Sequence, residues 1–337
     1  MDVVSDAISA VRIGRPSSDR VRIGGRWCTR LAPYEGAGFH VVLEGGCWLL
    51  PDGGTPVTLG PGDAVLLPQG TGHVIADSAA DADTVARAVP FEVWRERRER
   101  RDQPEPSVSW VPGAPGAPGA GAGAGPGVGG GAPAGADGTE LLCGKYRLDR
   151  SREHPLMAEL PQVVHLPHRV GGGRTELRSA IDLLGRELHT GRPGASIAVP
   201  SLLDLLLVYM IRAWTAESTA GAWPAALGDP VVASALRALH ADPSAPWSND
   251  RLAAEAGVSR PTLARRFTAL VGRPPMAYLT WWRLTSAAAL LRDTQDPLAA
   301  VARRVGYGTP YAFSHAFNRE FGTTPGRYRA AAGTGTG

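Results

Sequence analysis

Two segments near the C-terminal end of the chain present hydrogen-bond donors at helical spacing. The first segment begins at Ser259 and presents the polar side chains of Arg260, Thr262, Arg265 and Arg266. The second begins at Thr309 and Pro310 and presents Tyr311, Ser314, His315 and Arg319. Guanidinium groups on an exposed helix face can donate two hydrogen bonds to a guanine edge or bind phosphate oxygens. The two segments therefore predict binding to double-stranded DNA.

The side chains of these segments suit different tasks. Arg265, central on its helix, is expected to make a bidentate contact with guanine. The arginines nearer the helix edges are expected to bind phosphates, which fixes register without reading sequence: Arg260, Arg266 and Arg319. His315 can donate to a base or phosphate, or simply be exposed. Tyr311 can stack on a sugar or pack against Phe313.

A repeated pattern supplies the elements that position these groups. Leu252-Ala253-x-x-Ala256-Gly257 recurs as Val301-Ala302-x-x-Val305-Gly306, and Gly272-x-x-Pro275-x-x-Tyr278 recurs fifty residues later as Gly322-x-x-Pro325-x-x-Tyr328. A small residue before a left-handed glycine is typical of a helix-turn-helix unit. The repeat predicts two such units in a seven-helix domain over residues 229–331. A helix over Met276 to Arg292, about 25 Å long, is expected to hold the reading helices roughly 34 Å apart, one turn of DNA.

The N-terminal part has the pattern of a β-barrel. Short apolar runs, separated by turns rich in Gly, Pro and Asp, predict antiparallel strands near residues 39–43, 47–50, 57–59, 64–67 and 73–75. A returning strand is predicted over residues 141–148. Between them, residues 112–138 consist almost wholly of Gly, Ala and Pro, which predicts a flexible insertion. The predicted fold class is a barrel with a helical hairpin, followed by an all-helical domain.

The helical hairpin over residues 175–217 closes the predicted first domain, residues 1–217. Its second helix, near Leu202 to Ala216, is apolar around much of its circumference. This pattern fits a helix packed on the barrel, or an interface in a homodimer. The apolar run contains Asp204 and Arg212 and is too short to span a bilayer, and Met1 to Ala10 does not read as a secretory signal. A cytoplasmic protein without membrane contact is therefore expected.

Charge and cysteine content narrow the function further. The 337-residue chain carries a net charge of +3, but in residues 230–337 arginines outnumber acidic residues 13 to 6. A basic C-terminal half favours a polyanionic partner. The three cysteines, Cys28, Cys47 and Cys143, form no CxxC pair, so reduced thiols are expected. Cys47 and Cys143 fit buried small side chains, Cys28 is less constrained, and oxidant sensing is the alternative.

Residues 252–328 closely resemble the AraC/XylS transcription regulators. The resemblance rests on Ser259-Arg260-Pro261-Thr262-Leu263-x-Arg265-Arg266-Phe267, on Arg283-Leu284-x-x-Ala287, and on Val305-Gly306-Tyr307 with Phe313, Phe317, Phe321-Gly322, Pro325 and Tyr328-Arg329. It implies two reading helices joined by a linker helix, with Arg260, Arg265, Tyr311, Ser314 and His315 facing the grooves. Two positions depart from the pattern: Ala264 is too small to read a base, and Pro310 replaces a hydrogen-bonding residue.

The barrel segment resembles the cupin-type sensor domain of a subgroup of these regulators. The matching residues are Phe39 to Leu43, Cys47-Trp48-Leu49, Pro61-Gly62-Asp63 through Pro68 with Gly70 and His73, Cys143-Gly144, His154-Pro155-Leu156 and Leu160-Pro161. Cupin enzymes hold a metal with several histidines and a carboxylate. Here Val42 stands where a second histidine is needed, so no metal and no cofactor is predicted. His73 fits a turn-forming or core histidine. The alternative is a site for an unknown small-molecule effector, or a weak metal site, at His40, Glu44 and His73.

Together these features predict a sequence-specific transcription regulator that reads two adjacent major grooves. Its barrel is expected to sense a ligand or to dimerise, and RNA polymerase is a further candidate partner. No catalytic residue is predicted. The alternative is a cupin metalloenzyme fused to a DNA-targeting domain.

Overall fold

The computed structural model describes residues 3–79, 85–86, 88–93, 138–148, 154–168, 175–190, 192–218 and 221–333. The predicted flexible insertion, residues 112–138, lies outside these ranges except for Gly138.

Ten strands form two five-stranded sheets in the described part of the N-terminal half. They are β1 (Arg12–Ile23), β2 (Cys28–Leu31), β3 (Ala37–Glu44), β4 (Cys47–Pro51), β5 (Val57–Leu59), β6 (Ala64–Leu67), β7 (His73–Ala76), β8 (Val89–Pro90), β9 (Thr139–Leu148) and β10 (Val164–Leu166). The strand orders are β1-β9-β3-β6-β10 and β5-β4-β7-β2-β8. The five predicted strands and the returning strand are confirmed. Sequence reasoning missed β1, β2, β8 and β10.

Strand pairing follows the turn chemistry of the sequence. Strand β3 pairs with β6, and β4 pairs with β5 and β7, all antiparallel as predicted. Strand β2 pairs in parallel with β8. Two tight turns contain glycines in the left-handed region, Gly53 at φ 71° and Gly62 at φ 86°.

The barrel core lies between the two sheets. Its buried members come from both sheets: Val21, Ile23, Trp27, Val42, Cys47, Leu49, Leu59, Val65, Ile75, Leu141 and Cys143. Cys47 and Cys143 are thus part of a packed apolar core, while Cys28 is half-buried. Burial raises the pKa of Cys47 to about 12, which keeps its thiol protonated and unreactive at neutral pH.

Twelve helices are described. They are α1 (Val3–Val11), α2 (Pro155–Ala158), α3 (Thr175–Thr190), α4 (Ala195–Glu217), α5 (Ala222–Gly228), α6 (Pro230–Ala241), α7 (Asn249–Glu255), α8 (Arg260–Val271), α9 (Pro275–Asp293), α10 (Leu298–Arg304), α11 (Pro310–Phe321) and α12 (Pro325–Gly333). Helices α6 to α12 are the seven expected after Asp229. Helix α1 was not expected, because its nine residues are too few for a clear periodicity.

Helix α4 is longer than the sequence predicted. It begins at Ala195, not near Leu202, and continues through Pro200 without ending. With 23 residues it is long and apolar enough to cross a membrane by length and composition, so the prediction that the run is too short was wrong. Its buried side chains lie on one face: Leu203, Leu206, Leu207, Met210 and Ile211. Its Asp204 pairs with Arg12, an ion pair that favours a helix of a folded protein.

The chain forms two compact units that divide it differently from the predicted domains. One unit contains residues 1–15, 146–161 and 204–337, and the other contains residues 16–145 and 162–203. Helix α1 and the second half of α4 were among the segments expected in the barrel domain. They belong instead to the unit that contains α6 to α12. The boundary at residues 217–229 remains a prediction from sequence.

Candidate nucleic-acid interface

Helix α8 presents the first group of predicted DNA ligands. Ser259 caps the helix, since its Oγ accepts the Thr262 N–H at 3.4 Å, and the helix ends at Gly272 with φ 77°. Leu263 and Phe267 are buried, and three arginines of the opposite face are exposed: Arg260, Arg265 and Arg266. The hydroxyl of Thr262 lies 2.9 Å from Ser259 Oγ, so it is half-buried within the cap and faces the helix end.

The three arginines of α8 differ in their ion pairs. Arg260 lies 3.8 Å from the exposed carboxylate of Asp250, and Arg266 lies 3.6 Å from Asp229. For Arg265 no salt bridge forms with any described residue. Its guanidinium makes no hydrogen bond to the described residues either, so its donors remain available to another molecule. This arrangement fits the base-reading role predicted for Arg265.

Helix α11 presents the second group in the same manner. Thr309 Oγ1 accepts the Ala312 N–H at 3.1 Å, and Gly322 ends the helix at φ 64°. Phe313 and Phe317 are buried, whereas Tyr311 is 82% exposed. Of the two placements left open for Tyr311, packing against Phe313 is excluded by this exposure. His315 and Arg319 are exposed too, and Ser314 is half-buried.

Helix α9 carries both helix-turn-helix units. Its Leu284, Ala287 and Leu291 form one buried cluster with Phe313 and Phe317 of α11. At the other end, the Tyr278 ring meets Phe267 of α8 edge-on, with ring centroids 5.6 Å apart. The helix thus packs on each reading helix through buried side chains.

Two arginines, one on α9 and one on α12, donate hydrogen bonds to loops beside α9, and sequence reasoning assigned them no role. Arg283 donates to the carbonyl oxygens of Pro243 and Ala245, at 2.6 and 2.9 Å. Arg329 donates to the carbonyl oxygen of Asp296 at 2.6 Å. Both arginines belong to the residues that carry the AraC/XylS resemblance, but a motif does not tell which carbonyl groups a side chain reaches. These bonds hold the connecting loops beside α9, the helix that lies between the two reading helices.

The barrel brings together two of the three residues of the predicted effector site. His40 and His73 are buried, with their Nε2 atoms 2.8 Å apart. Glu44 lies apart at the end of β3, where its exposed carboxylate is 3.5 Å from Arg22. The third member of the buried cluster is Cys143, whose Sγ lies 3.0 Å from His40 Nδ1. No pattern in the sequence joins Cys143 to the histidines.

The hydrogen bonds of this cluster define one consistent set of tautomers. His73 Nδ1 lies 2.8 Å from the Thr71 carbonyl oxygen and must donate to it, which leaves His73 Nε2 as an acceptor. His40 then donates from Nε2, and its Nδ1 accepts from the Cys143 thiol. Burial, followed by the neighbouring His73, holds the pKa of His40 well below its usual range, and burial also raises the pKa of Cys143. The cluster is therefore neutral at physiological pH.

This donor set does not fit a cupin metal centre. Each ring nitrogen of the two histidines already has a partner, and the described residues contain no group of three His, Cys, Asp or Glu side chains that could hold a metal ion. A catalytic metal needs three or more protein ligands. Nothing in this geometry favours the metalloenzyme alternative.

Comparisons with known proteins agree with both halves of the structure. A family model described as Cupin matches residues 2–216, and one described as Helix-turn-helix domain matches residues 252–331. A putative AraC-like transcription regulator of Streptomyces antibioticus is 34% identical over 98% of both chains, and one of Streptomyces lividans is also 34% identical over 98%. The chain belongs to the AraC-like transcription regulators. This confirms the predicted fold class, the resemblance and the regulatory function.

A solved structure similar to the C-terminal part is described as the DNA-binding domain of AdpA, a global transcriptional factor, in complex with a target DNA. It is 33% identical, covers 32% of this chain and 96% of its own, and has a TM-score of 0.30. The two matching family models show that this AraC-like regulator consists of a cupin domain and a helix-turn-helix domain. Both Streptomyces relatives are described as putative AraC-like transcription regulators.

Proposed function

We propose that this AraC-like regulator inserts α8 and α11 into two successive major grooves of its operator. Arg265 reads a guanine, and the arginines beside it, with Arg319 on α11, bind phosphates: Arg260 and Arg266. Tyr311, Ser314 and His315 contact the second groove, and Thr262 supports the first contact through the cap of α8. The observation that carries this proposal is the separation of faces on both helices, with arginines outside and phenylalanines buried.

The length of α9 supports reading of successive grooves. The helix has 19 residues, which at 1.5 Å per residue makes it about 28 Å long. Successive major grooves on one side of the duplex are about 34 Å apart.

We infer that the barrel senses a small-molecule effector at His40 and His73, and that Glu44 does not contribute to the same site. His40 on β3 and His73 on β7 are buried polar groups that connect the two sheets, so a ligand that competes for their hydrogen bonds would change the strands that hold them. We further propose that the protein acts in the cytoplasm, contacts RNA polymerase at the promoter and catalyses no reaction. No membrane contact and no cofactor is part of this proposal.

Helix α4 is the proposed surface for a second copy of the chain. Three of the five exposed large hydrophobic side chains among the described residues lie on α3 and α4: Leu183, Ile197 and Leu205. Ile197 is 74% exposed, which is unusual for an isoleucine on a regular helix. Sedimentation of the wild-type chain and of Ile197→Glu tests this: a dimer is expected for the first and a monomer for the second. A wild-type monomer at micromolar concentration contradicts the dimer.

Footprinting tests the DNA contact itself. A duplex selected by the full-length chain from a random pool should show two protected regions on one side, one helical turn apart. The control is the same duplex with both regions scrambled. Equal protection of the selected and scrambled duplexes at moderate ionic strength would overturn the proposed function.

A further inference from the structure

A buried chain of hydrogen bonds joins four separate elements of the helical unit. The Tyr278 hydroxyl on α9 lies 2.7 Å from His240 Nε2 on α6 and 3.3 Å from His154 Nε2, the residue that caps α2. His240 Nδ1 lies 2.9 Å from Asp6 Oδ2 on α1. Tyr278, His154 and His240 are fully buried, and Asp6 is 7% exposed. We call these four residues the Tyr278 chain.

The proton positions in the Tyr278 chain follow from its ends. His154 Nδ1 accepts the Leu156 N–H at 3.1 Å, so neutral His154 carries its proton on Nε2 and donates it to the Tyr278 oxygen. Tyr278 then donates to His240 Nε2. His240 donates from Nδ1 to the Asp6 carboxylate. Burial, followed by the neighbouring His240, holds the pKa of His154 well below its usual range, which agrees with its neutral form. Every member of the chain is satisfied in this single arrangement.

Aromatic packing transmits the position of Tyr278 to the first reading helix. The ring of Phe267, the buried anchor of α8, meets the Tyr278 ring at a 69° interplanar angle. Phe267 lies one and two positions from the DNA-facing Arg266 and Arg265. Trp282 stacks on His240 with centroids 4.3 Å apart, and Trp281 lies 5.3 Å from His154. A shift of Tyr278 is therefore expected to move Phe267, because the two rings are in contact and buried side chains interdigitate.

We propose that Tyr278 is a positioning residue for the first reading helix, and that Asp6 and His154 set its place. The DNA-reading geometry of α8 then depends on two segments that come from the N-terminal half of the sequence. Helix α1 continues directly into strand β1, and His154 follows strand β9 by six residues. The covalent chain thereby links barrel strands to the position of a reading helix. This inference rests on the proposed function of α8.

The test compares the two halves of the operator. The probe is the duplex selected from a random pool by the wild-type full-length chain, and the half read by α8 is the one whose protection is lost in Arg265→Ala. Tyr278→Phe keeps the ring but leaves two buried histidine nitrogens without a partner. We expect a roughly tenfold loss of affinity at the α8 half, because holding α8 in its reading position on DNA would then cost about 1.4 kcal/mol more, within the range of an unmade buried hydrogen bond. The other half should keep its affinity to within about twofold of wild type.

The matched control is Tyr307→Phe, which removes a half-buried hydroxyl from the second helix-turn-helix unit. It should leave the α8 half unchanged. Asp6→Ala, at the opposite end of the Tyr278 chain, should cause the same loss of affinity at the α8 half as Tyr278→Phe. Because Asp6 and Tyr278 are expected to act through the same hydrogen bonds, the affinity of the double variant should not fall below that of the weaker-binding single variant. Thermal unfolding of each variant monitors its stability, and His154→Gln replaces Tyr278→Phe if that variant fails to fold.

Several outcomes would overturn the inference. Equal losses at both halves in Tyr278→Phe would show that the Tyr278 chain only stabilises the fold. Losses that multiply in the double variant would show that Asp6 and Tyr278 act separately. A wild-type chain that selects no sequence from the pool would overturn the proposed function, and the inference with it, and this result is distinct from the other two.

Discussion

The guanidinium of Arg266 lies 3.6 Å from the carboxylate of Asp229, which caps helix α6 by accepting the N–H groups of Val231 and Val232 at 2.9 and 3.0 Å. One of the two arginines that follow each other on α8 is thus tied to its own domain, and the other, Arg265, is not. The two side chains should therefore respond differently to substitution.

Replacement of Arg265 should affect specific binding. Arg265→Ala is expected to weaken the selected site by about 1 to 3 kcal/mol and to leave random DNA nearly unchanged, because the bidentate contact discriminates between bases. Arg265→Lys, which retains the charge without the planar fork, should lose nearly as much specificity. Fluorescence anisotropy with selected and scrambled duplexes measures both. A lysine variant with full specificity would contradict the base-reading role.

Replacement of Arg266 should affect all sequences alike. Arg266→Ala removes a phosphate contact, so affinity should fall on selected and random duplexes together, and the slope of log K against log salt should flatten by about one unit. Salt titration with both duplexes measures the slope. An unchanged slope would indicate that the ion pair with Asp229 is the main role of Arg266.

The turn glycines of the two helix-turn-helix units should differ in their tolerance of alanine. Both have positive φ, 67° at Gly257 and 83° at Gly306, so both substitutions introduce strain of about 1 to 2 kcal/mol. A Cβ at Gly306 would also lie 2.9 Å from the Arg283 guanidinium and from the Ser244 backbone, whereas a Cβ at Gly257 meets no atom within 4 Å. Gly306→Ala should therefore destabilise the chain more than Gly257→Ala in urea unfolding. Equal losses would contradict the close approach at Gly306.

Helix caps should contribute measurably to the first reading helix. Ser259→Ala removes the acceptor for the Thr262 N–H and should lower the free energy of unfolding by about 1 kcal/mol. Ser259→Asp, the matched control, retains an acceptor and should stay near wild type. Urea unfolding measures the difference, and no difference between the two variants would contradict the cap.

The barrel cluster predicts a stability maximum at neutral to mildly alkaline pH. The folded state lowers the pKa of His40 below 6.5 and raises that of Cys143 above 9.0, in each case chiefly through burial. Below pH 6.5 the unfolded chain binds a proton that folded His40 does not, so stability falls as pH falls. Above pH 9.0 the unfolded thiol ionises while the folded one does not, so stability falls as pH rises.

Urea unfolding between about pH 5 and 10 measures this dependence. His40→Gln should flatten the acid side and Cys143→Ala the alkaline side, although Cys47, whose pKa is also raised by burial, keeps part of the alkaline dependence. If either variant keeps the pH profile of the wild type, the assignment of the acid side to His40 or of the alkaline side to Cys143 is wrong.

Local sequence signals predicted the DNA-binding half in detail. Ser259 and Thr309 are caps that act within one helical turn, and the spacing of Phe313 and Phe317 determines which face is buried. Interactions between residues a few positions apart were therefore enough to predict these helices. The Tyr278 chain was out of reach of the same reasoning. Asp6 and His240 are 234 residues apart, and no periodicity couples such positions.

The packing of both reading helices on the single helix α9 has a consequence for operator architecture. Because this packing fixes the distance between α8 and α11, the protein selects the spacing of the two contacted stretches as well as their bases. One base pair inserted between the two contacted stretches rotates the second by about 35° around the duplex axis and carries it out of register. Promoters controlled by this regulator should therefore keep an invariant interval between those stretches even where the intervening bases vary freely.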